Sequence, residues 1–129
     1  MSNKKNNCLF KMKLKKIIKP WGYELLIEKN KKYMFKKLFM KKNHRCSLQF
    51  HKKKIETIFV VSGKLKIYYG YNINKLNQKI FKSQNTITIN PKTIHRMQAI
   101  TDCIYLEAST PEIEDVVRLS DDYNRKQFN

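Results

Sequence analysis

Four side chains in this sequence have the types and spacing of a metal site. The segment Cys46-Ser47-Leu48-Gln49-Phe50-His51 alternates along a strand, so Gln49 and His51 share one face and Leu48 and Phe50 the other. Glu56 follows five residues after His51, directly before the apolar run Ile58–Val61 and the turn Ser62-Gly63. His95 opens another strand after the loop Asn90-Pro91-Lys92-Thr93. A fold that gathers these strands would set an amide oxygen, two imidazoles and a carboxylate around one point. Such a mixed N/O set suits a divalent cation, Zn²⁺ first, with Mn²⁺, Fe²⁺ or Ni²⁺ as alternatives; the lack of thiolate argues against a structural cysteine–zinc site. Singly, each residue is ordinary, and the joint spacing carries the inference.

The elements that must position them read as strands. Tyr23–Glu28, Tyr33–Met40, Cys46–His51, Thr57–Val61, Leu65–Tyr71, Ile80–Phe81, Thr86–Ile89, His95–Ile100 and Cys103–Ala108 are rich in Ile, Val, Tyr, Phe and Thr. Short polar or Gly-containing breaks separate them. Many short strands at regular spacing predict an all-β sandwich or barrel. One segment, Pro111–Leu119, reads as a helix, with Thr110 as N-cap, Pro111 at the first position and Glu112, Glu114 and Asp115 near its positive end. Residues 1–16 hold six lysines and little periodicity, which predicts a disordered basic tail before a single domain over 17–126.

Composition bounds the function. The 129 residues suit one domain, and 41% hydrophobic content can fill a core without a disulfide scaffold. Cys8, Cys46 and Cys103 form no CxxC pair and read as reduced thiols of a cytoplasmic protein, without reactive or metal roles. No apolar stretch approaches a membrane span, and the basic N-terminus lacks the apolar core of a secretion signal, which predicts a cytoplasmic protein. The net charge of +18 invites a nucleic-acid partner. Against that reading, lysines outnumber arginines 24 to 4 in a chain crowded with Asn and Ile, as compositional drift would produce. The charge is uneven: residues 102–129 carry 3 basic and 7 acidic residues, so an acidic end can fold back over a basic body.

The motif spacing resembles the cupin superfamily. Gln49-x-His51, Glu56 and Gly63 fit its first motif with Gln in place of the first His, and His95 fits the second. Pro91 lies one place closer to that His than the pattern has it, and Lys92 or Thr93 occupies the Gly position. Six ordered segments resemble more narrowly the C-terminal cupin domain of type II mannose-6-phosphate isomerases, often fused to a mannose-1-phosphate guanylyltransferase. They are Trp21-Gly22-Tyr23-Glu24, Arg45–His51, Val60–Gly63, Thr93–Arg96, Glu114–Arg118 and Asp121–Arg125. The resemblance implies a small cupin-type β-barrel (jelly roll) with a short C-terminal helix. It also implies a metal-dependent isomerase acting on a sugar phosphate, with a separate guanylyltransferase as partner and homodimers by edge-strand pairing or exchange of residues 17–28. For such a reaction the candidate proton-transferring residues are Glu107, on a strand near the barrel end, and Lys66, whose pKa would fall if buried beside a cation. Arg45, sharing strand parity with Gln49 and His51, is the candidate phosphate clamp, and Arg96, of opposite parity to His95, instead pins the acidic end. A non-catalytic, sugar-binding accessory cupin is the alternative.

Overall fold

Alternation of buried and open residues, clearest along Glu56–Ser62 and Cys103–Ser109, organises the strands into a two-layered sandwich. The computed structural model describes residue 9, residues 13–112 and residues 114–125. Six strands form one antiparallel sheet in the order β1 (Lys15–Lys19), β2 (Gly22–Lys29), β3 (Met34–Met40), β10 (Cys103–Ser109), β5 (Glu56–Ser62) and β8 (Thr86–Ile89). Five form the other, in the order β11 (Val116–Ser120), β4 (Leu48–His51), β9 (Ile94–Ala99), β6 (Leu65–Gly70) and β7 (Asn77–Phe81).

The inner faces are not uniform. One stretch is apolar, where Leu38 pairs with Tyr105 and Tyr105 with Val60, opposite Leu65, Ile67, Met97 and Ala99 of the second sheet. Further along the same strands the inner residues become polar or charged: Lys36 pairs with Glu107, and Ser109 with Glu56. Burying each large apolar side chain contributes about 1.5–3 kcal/mol. The apolar stretch therefore offsets the desolvation of the charged one.

Two expectations are corrected. No helix occurs among the described residues: Val116–Ser120 is a strand, paired through Val116–His51 and Arg118–Gln49 with β4. The expected capping groups serve other donors. Thr110 Oγ1 accepts from the Ile55 amide, and the Asp115 carboxylate accepts from the Lys53 and Lys54 amides. β-branched Val116 and Val117 then complete the sheet edge beside β4. The barrel is also absent, because neither sheet closes: β1, β8, β11 and β7 remain edges of two separate sheets. Of the expected basic tail, residues 1–8 and 10–12 lie outside the described residues, and β1 begins at Lys15, inside that stretch.

The loop before His95 shows what the missing glycine does. Lys92 sits at φ 66°, in the left-handed region that disfavours a side chain, and its amide donates to the His51 carbonyl at 2.7 Å. Lys92→Gly is expected to relieve this strain and stabilise the fold by about 0.5–1 kcal/mol, read as a raised denaturation midpoint. An unchanged or lowered midpoint would show that the Lys side chain is not strained there.

Candidate metal centre

Gln49 and His95 face each other across the β4–β9 ladder, and His51 lies two residues along the same face of β4. Glu56 comes from the opposite sheet, as the first residue of β5. The loop 52–55 bridges the layers, held by the Asp115 carboxylate on two of its amides. Glu56 Oε1 lies 3.1 Å from His95 Nε2 and 3.4 Å from His51 Nε2, and all three residues are buried. Their donor atoms lie within 4.8 Å of one another, so the three form a cluster that could hold a metal ion.

The protonation of this cluster decides its meaning. His95 Nδ1 lies 2.8 Å from the Thr93 carbonyl, which can only accept; Nδ1 therefore carries the proton, and in a neutral ring Nε2 presents a lone pair. That lone pair faces a carboxylate oxygen, and both atoms are buried without a hydrogen-bond partner. Two acceptors pointed at each other repel unless a cation or a proton lies between them. A carbonyl fixing the far nitrogen of an imidazole is also the usual support of a metal ligand. The residues fit a divalent cation.

Gln49 completes the set only after an amide rotation. Its Oε1 accepts from the Ser47 hydroxyl, and its Nε2 lies 3.5 Å from His51 Nε2. A half-turn of the amide exchanges oxygen and nitrogen, and the Ser47 hydroxyl can serve either one.

Gln49, His51 and Glu56 form one wall of a cavity of about 260 Å³ between the sheets. Five cations line it (Lys19, Lys36, Lys54, Arg118 and Arg125), against the carboxylates of Glu24, Glu56 and Glu107. Lys36 is paired with Glu24 at 3.2 Å, and Arg125 with Asp121 at 3.1 Å. Lys19 makes no ion pair among the described residues; burial lowers its pKa, nearby Glu24 offsets part of that, and Lys36, Arg125 and Arg118 lower it further. Burial would raise the pKa of Glu56, but the His51 and His95 imidazoles outweigh it and hold the carboxyl well below its usual value. Glu107 behaves oppositely: burial and the charge of Glu56 push it up to about 8. Burial likewise pushes the Cys46 thiol up to about 11, so this cavity-lining sulfur is not a thiolate at neutral pH.

The other expected site residues separate. Glu107 lines the cavity. Lys66 does not: it alternates with buried Leu65 and Ile67, so its side chain stands on the outer face of the five-stranded sheet, 5.5 Å from the Tyr68 ring. Arg45 is also outside, forking onto Asp122 through Nε at 2.6 Å and Nη2 at 2.9 Å. Arg96 bonds the Cys46 and Ser120 carbonyls and so pins the C-terminal segment. Lys19, Lys36, Arg118 and Arg125 were missed as site residues. For Lys36 a signal existed, since it shares parity with Met34, Leu38 and Met40 and so had to face inward.

A two-sheet antiparallel fold with a His/Glu/His cluster between its layers defines a cupin domain. The chain belongs to the family described as mannose-6-phosphate isomerase C-terminal, whose pattern matches residues 5–121. No curated protein sequence matches it. Among solved structures, it is similar to the capsular polysaccharide assembling protein CapF from Staphylococcus aureus, at 17% identity and TM-score 0.73, covering 84% of this chain and 34% of that one. It is similar to KdgF from Halomonas sp. at 11% identity and TM-score 0.66, covering 78% and 89%. Lactobacillus farciminis oxalate decarboxylase matches at 18% identity and TM-score 0.69, covering 82% and 33%. The chain thus spans about a third of the length of CapF. No helix among its described residues is long and apolar enough to cross a membrane.

Proposed function

We propose that this domain is a metal-dependent sugar-phosphate isomerase that interconverts mannose 6-phosphate and fructose 6-phosphate. The observation that carries the reading is the buried His51–Glu56–His95 cluster, with its opposed acceptors, whose His51 and Glu56 border a cavity where cations outnumber carboxylates. Membership in this family supports a sugar phosphate as the substrate class. A divalent cation held by His51, Glu56 and His95 would supply a Lewis acid for negative charge developing on a substrate oxygen.

The residues of the chain supply the rest. Glu107 takes the C2 proton to give an enediolate and returns it to C1 while the O2 hydroxyl proton passes to O1, and its raised pKa suits a group that must both accept and release a proton near neutrality. Lys19 and Arg118 attract the phosphate dianion, while Arg125 is braced by Asp121. Buried Trp21 and Tyr105 keep water from the reacting carbons.

In a coupled assay, mannose 6-phosphate should turn over, chelator should suppress turnover, and Lys19→Ala should raise KM by more than about tenfold while the metal content holds. Absence of turnover with any hexose phosphate in the metal-loaded protein sinks the isomerase reading. A second reading, a non-catalytic sugar-binding accessory domain, draws on the cavity volume of about 260 Å³. That is just below the roughly 300 Å³ at which ligand pockets begin. Stabilisation by a sugar phosphate without turnover would select it.

A further inference from the structure

The segment that follows β11 is held from two sides by charge. Asp121 accepts from the Arg125 amide at 2.7 Å, and from its Nε and Nη2 at 3.1 Å each. The Tyr123 ring packs against the hydrophobic core and lies 5.5 Å from the Arg125 guanidinium. Arginines of the body hold the other side. Arg45 forks onto Asp122, while Arg96 donates to the Ser120 carbonyl at 3.2 Å and stands 4.0 Å from the Asp122 carboxylate.

The side chain that this bracing places is Arg125, which lines the cavity and is 10% exposed. Asp121 occupies Nε and Nη2, and the Nη1 donors have no acceptor among the described residues. Lys19 of β1 and Arg118 of β11 line the same cavity, near enough that Arg118 and Arg125 oppose the charge on Lys19. Three cations from three elements thus converge on one volume, a crowding that an anionic ligand relieves.

We infer that Asp122 is a positioning residue: clasped by Arg45 and Arg96 outside the cavity, it fixes the segment that presents Arg125 to the anionic group of a ligand inside. This rests on the phosphate-binding cavity of the isomerase reading, though not on turnover. Arg45 thereby acts on the phosphate at one remove. The Arg45 and Asp122 side chains are 38% and 39% exposed, and such a pair alone contributes little to stability. Here the pair shares one short segment with the Asp121–Arg125 fork, so its loss displaces Arg125 without unfolding the sandwich.

Charge alone predicts the opposite effect. Asp122→Asn removes a negative charge close to Arg45 and Arg96, which by itself strengthens the attraction of an anion. Positioning predicts weaker binding.

Calorimetric titration of the metal-loaded full chain with mannose 6-phosphate and with mannose separates the two. Asp122→Asn should raise the Kd for mannose 6-phosphate about three- to tenfold and leave that for mannose unchanged. Arg125→Ala should raise the first by more than about tenfold. Adding Asp122→Asn to Arg125→Ala should cause no further loss, because the clasp acts through Arg125. Near-UV spectra check that each variant is folded; where Arg125→Ala is not, Arg125→Lys, which lacks the planar fork, takes its place. Equal or tighter binding of mannose 6-phosphate by Asp122→Asn overturns the inference, as does an undiminished loss in the Arg125 background. A parent chain that binds mannose 6-phosphate no better than mannose overturns it too, by removing the anion from the cavity. Binding without turnover sinks the isomerase reading and leaves the role of Asp122 standing.

Discussion

His95→Ala is expected to leave the protein without bound metal, where the parent chain should bind about one divalent cation per chain. The effect should be large because His95 is the best-prepared member of the cluster. It is fully buried, its Nδ1 is tied to the Thr93 carbonyl, and its Nε2 already points at Glu56. Loss of a supporting hydrogen bond alone costs a metal site about ten- to a hundredfold in affinity, and loss of a ligand should cost more. Gln49→Ala should be milder, since Gln49 must first turn its amide and exchange its bond to Ser47. Elemental analysis of the purified proteins reads the stoichiometry. The rise in melting temperature on titrating Zn²⁺ or Mn²⁺ reads the affinity, because a ligand at a hundred times its Kd adds about 2.7 kcal/mol. Equal metal uptake by the parent and His95→Ala would remove the cluster from consideration as a metal site.

The cluster was legible because strand parity and spacing are local properties. Gln49 and His51 had to share a face, and each of the nine expected strands overlaps an observed one. Parity failed where the strand itself ended. Arg45 was placed beside Gln49 and His51 by counting in twos, but β4 begins at Leu48, and Arg45 belongs to an isolated bridge with Gln98. Its side chain is therefore free to meet Asp122, which lies 77 residues downstream. The C-terminal segment failed for a related reason. Thr110, Pro111 and the acidic residues after them satisfy every local rule for a helix start. What overrules them is β4, whose outer edge needs a partner, and the amides of residues 53–55, which need acceptors. Neither need is visible in the segment's own sequence. Lys36 shows the reverse case: the alternation that placed Met34, Leu38 and Met40 inward placed it inward too, beside Glu24 and Glu107.

Glu107→Gln is expected to separate stability from activity. Under the isomerase reading it should lower kcat by about a hundredfold or more, since no other carboxylate in the cavity is without a role: Glu24 is paired with Lys36, and Glu56 is part of the metal cluster. In metal-free protein the same change should stabilise the fold. The folded carboxyl titrates at about 8, against 4.5 for an unperturbed one, so folded Glu107 keeps its proton across a window where the unfolded chain has released it. Stability of the parent therefore falls as pH rises from about 4.5 towards 8, by up to about 1.4 kcal/mol per unit for full linkage. The amide of the variant has nothing to titrate. The advantage of the variant should be small near pH 4.5, grow through neutrality to a few kcal/mol, and level off above pH 8. Denaturant midpoints of both proteins in chelator, from pH 4.5 to 8.5, read the effect. An advantage independent of pH would mean that burial and Glu56 do not perturb Glu107, and the case for it as a proton-transferring group near neutrality would go with it.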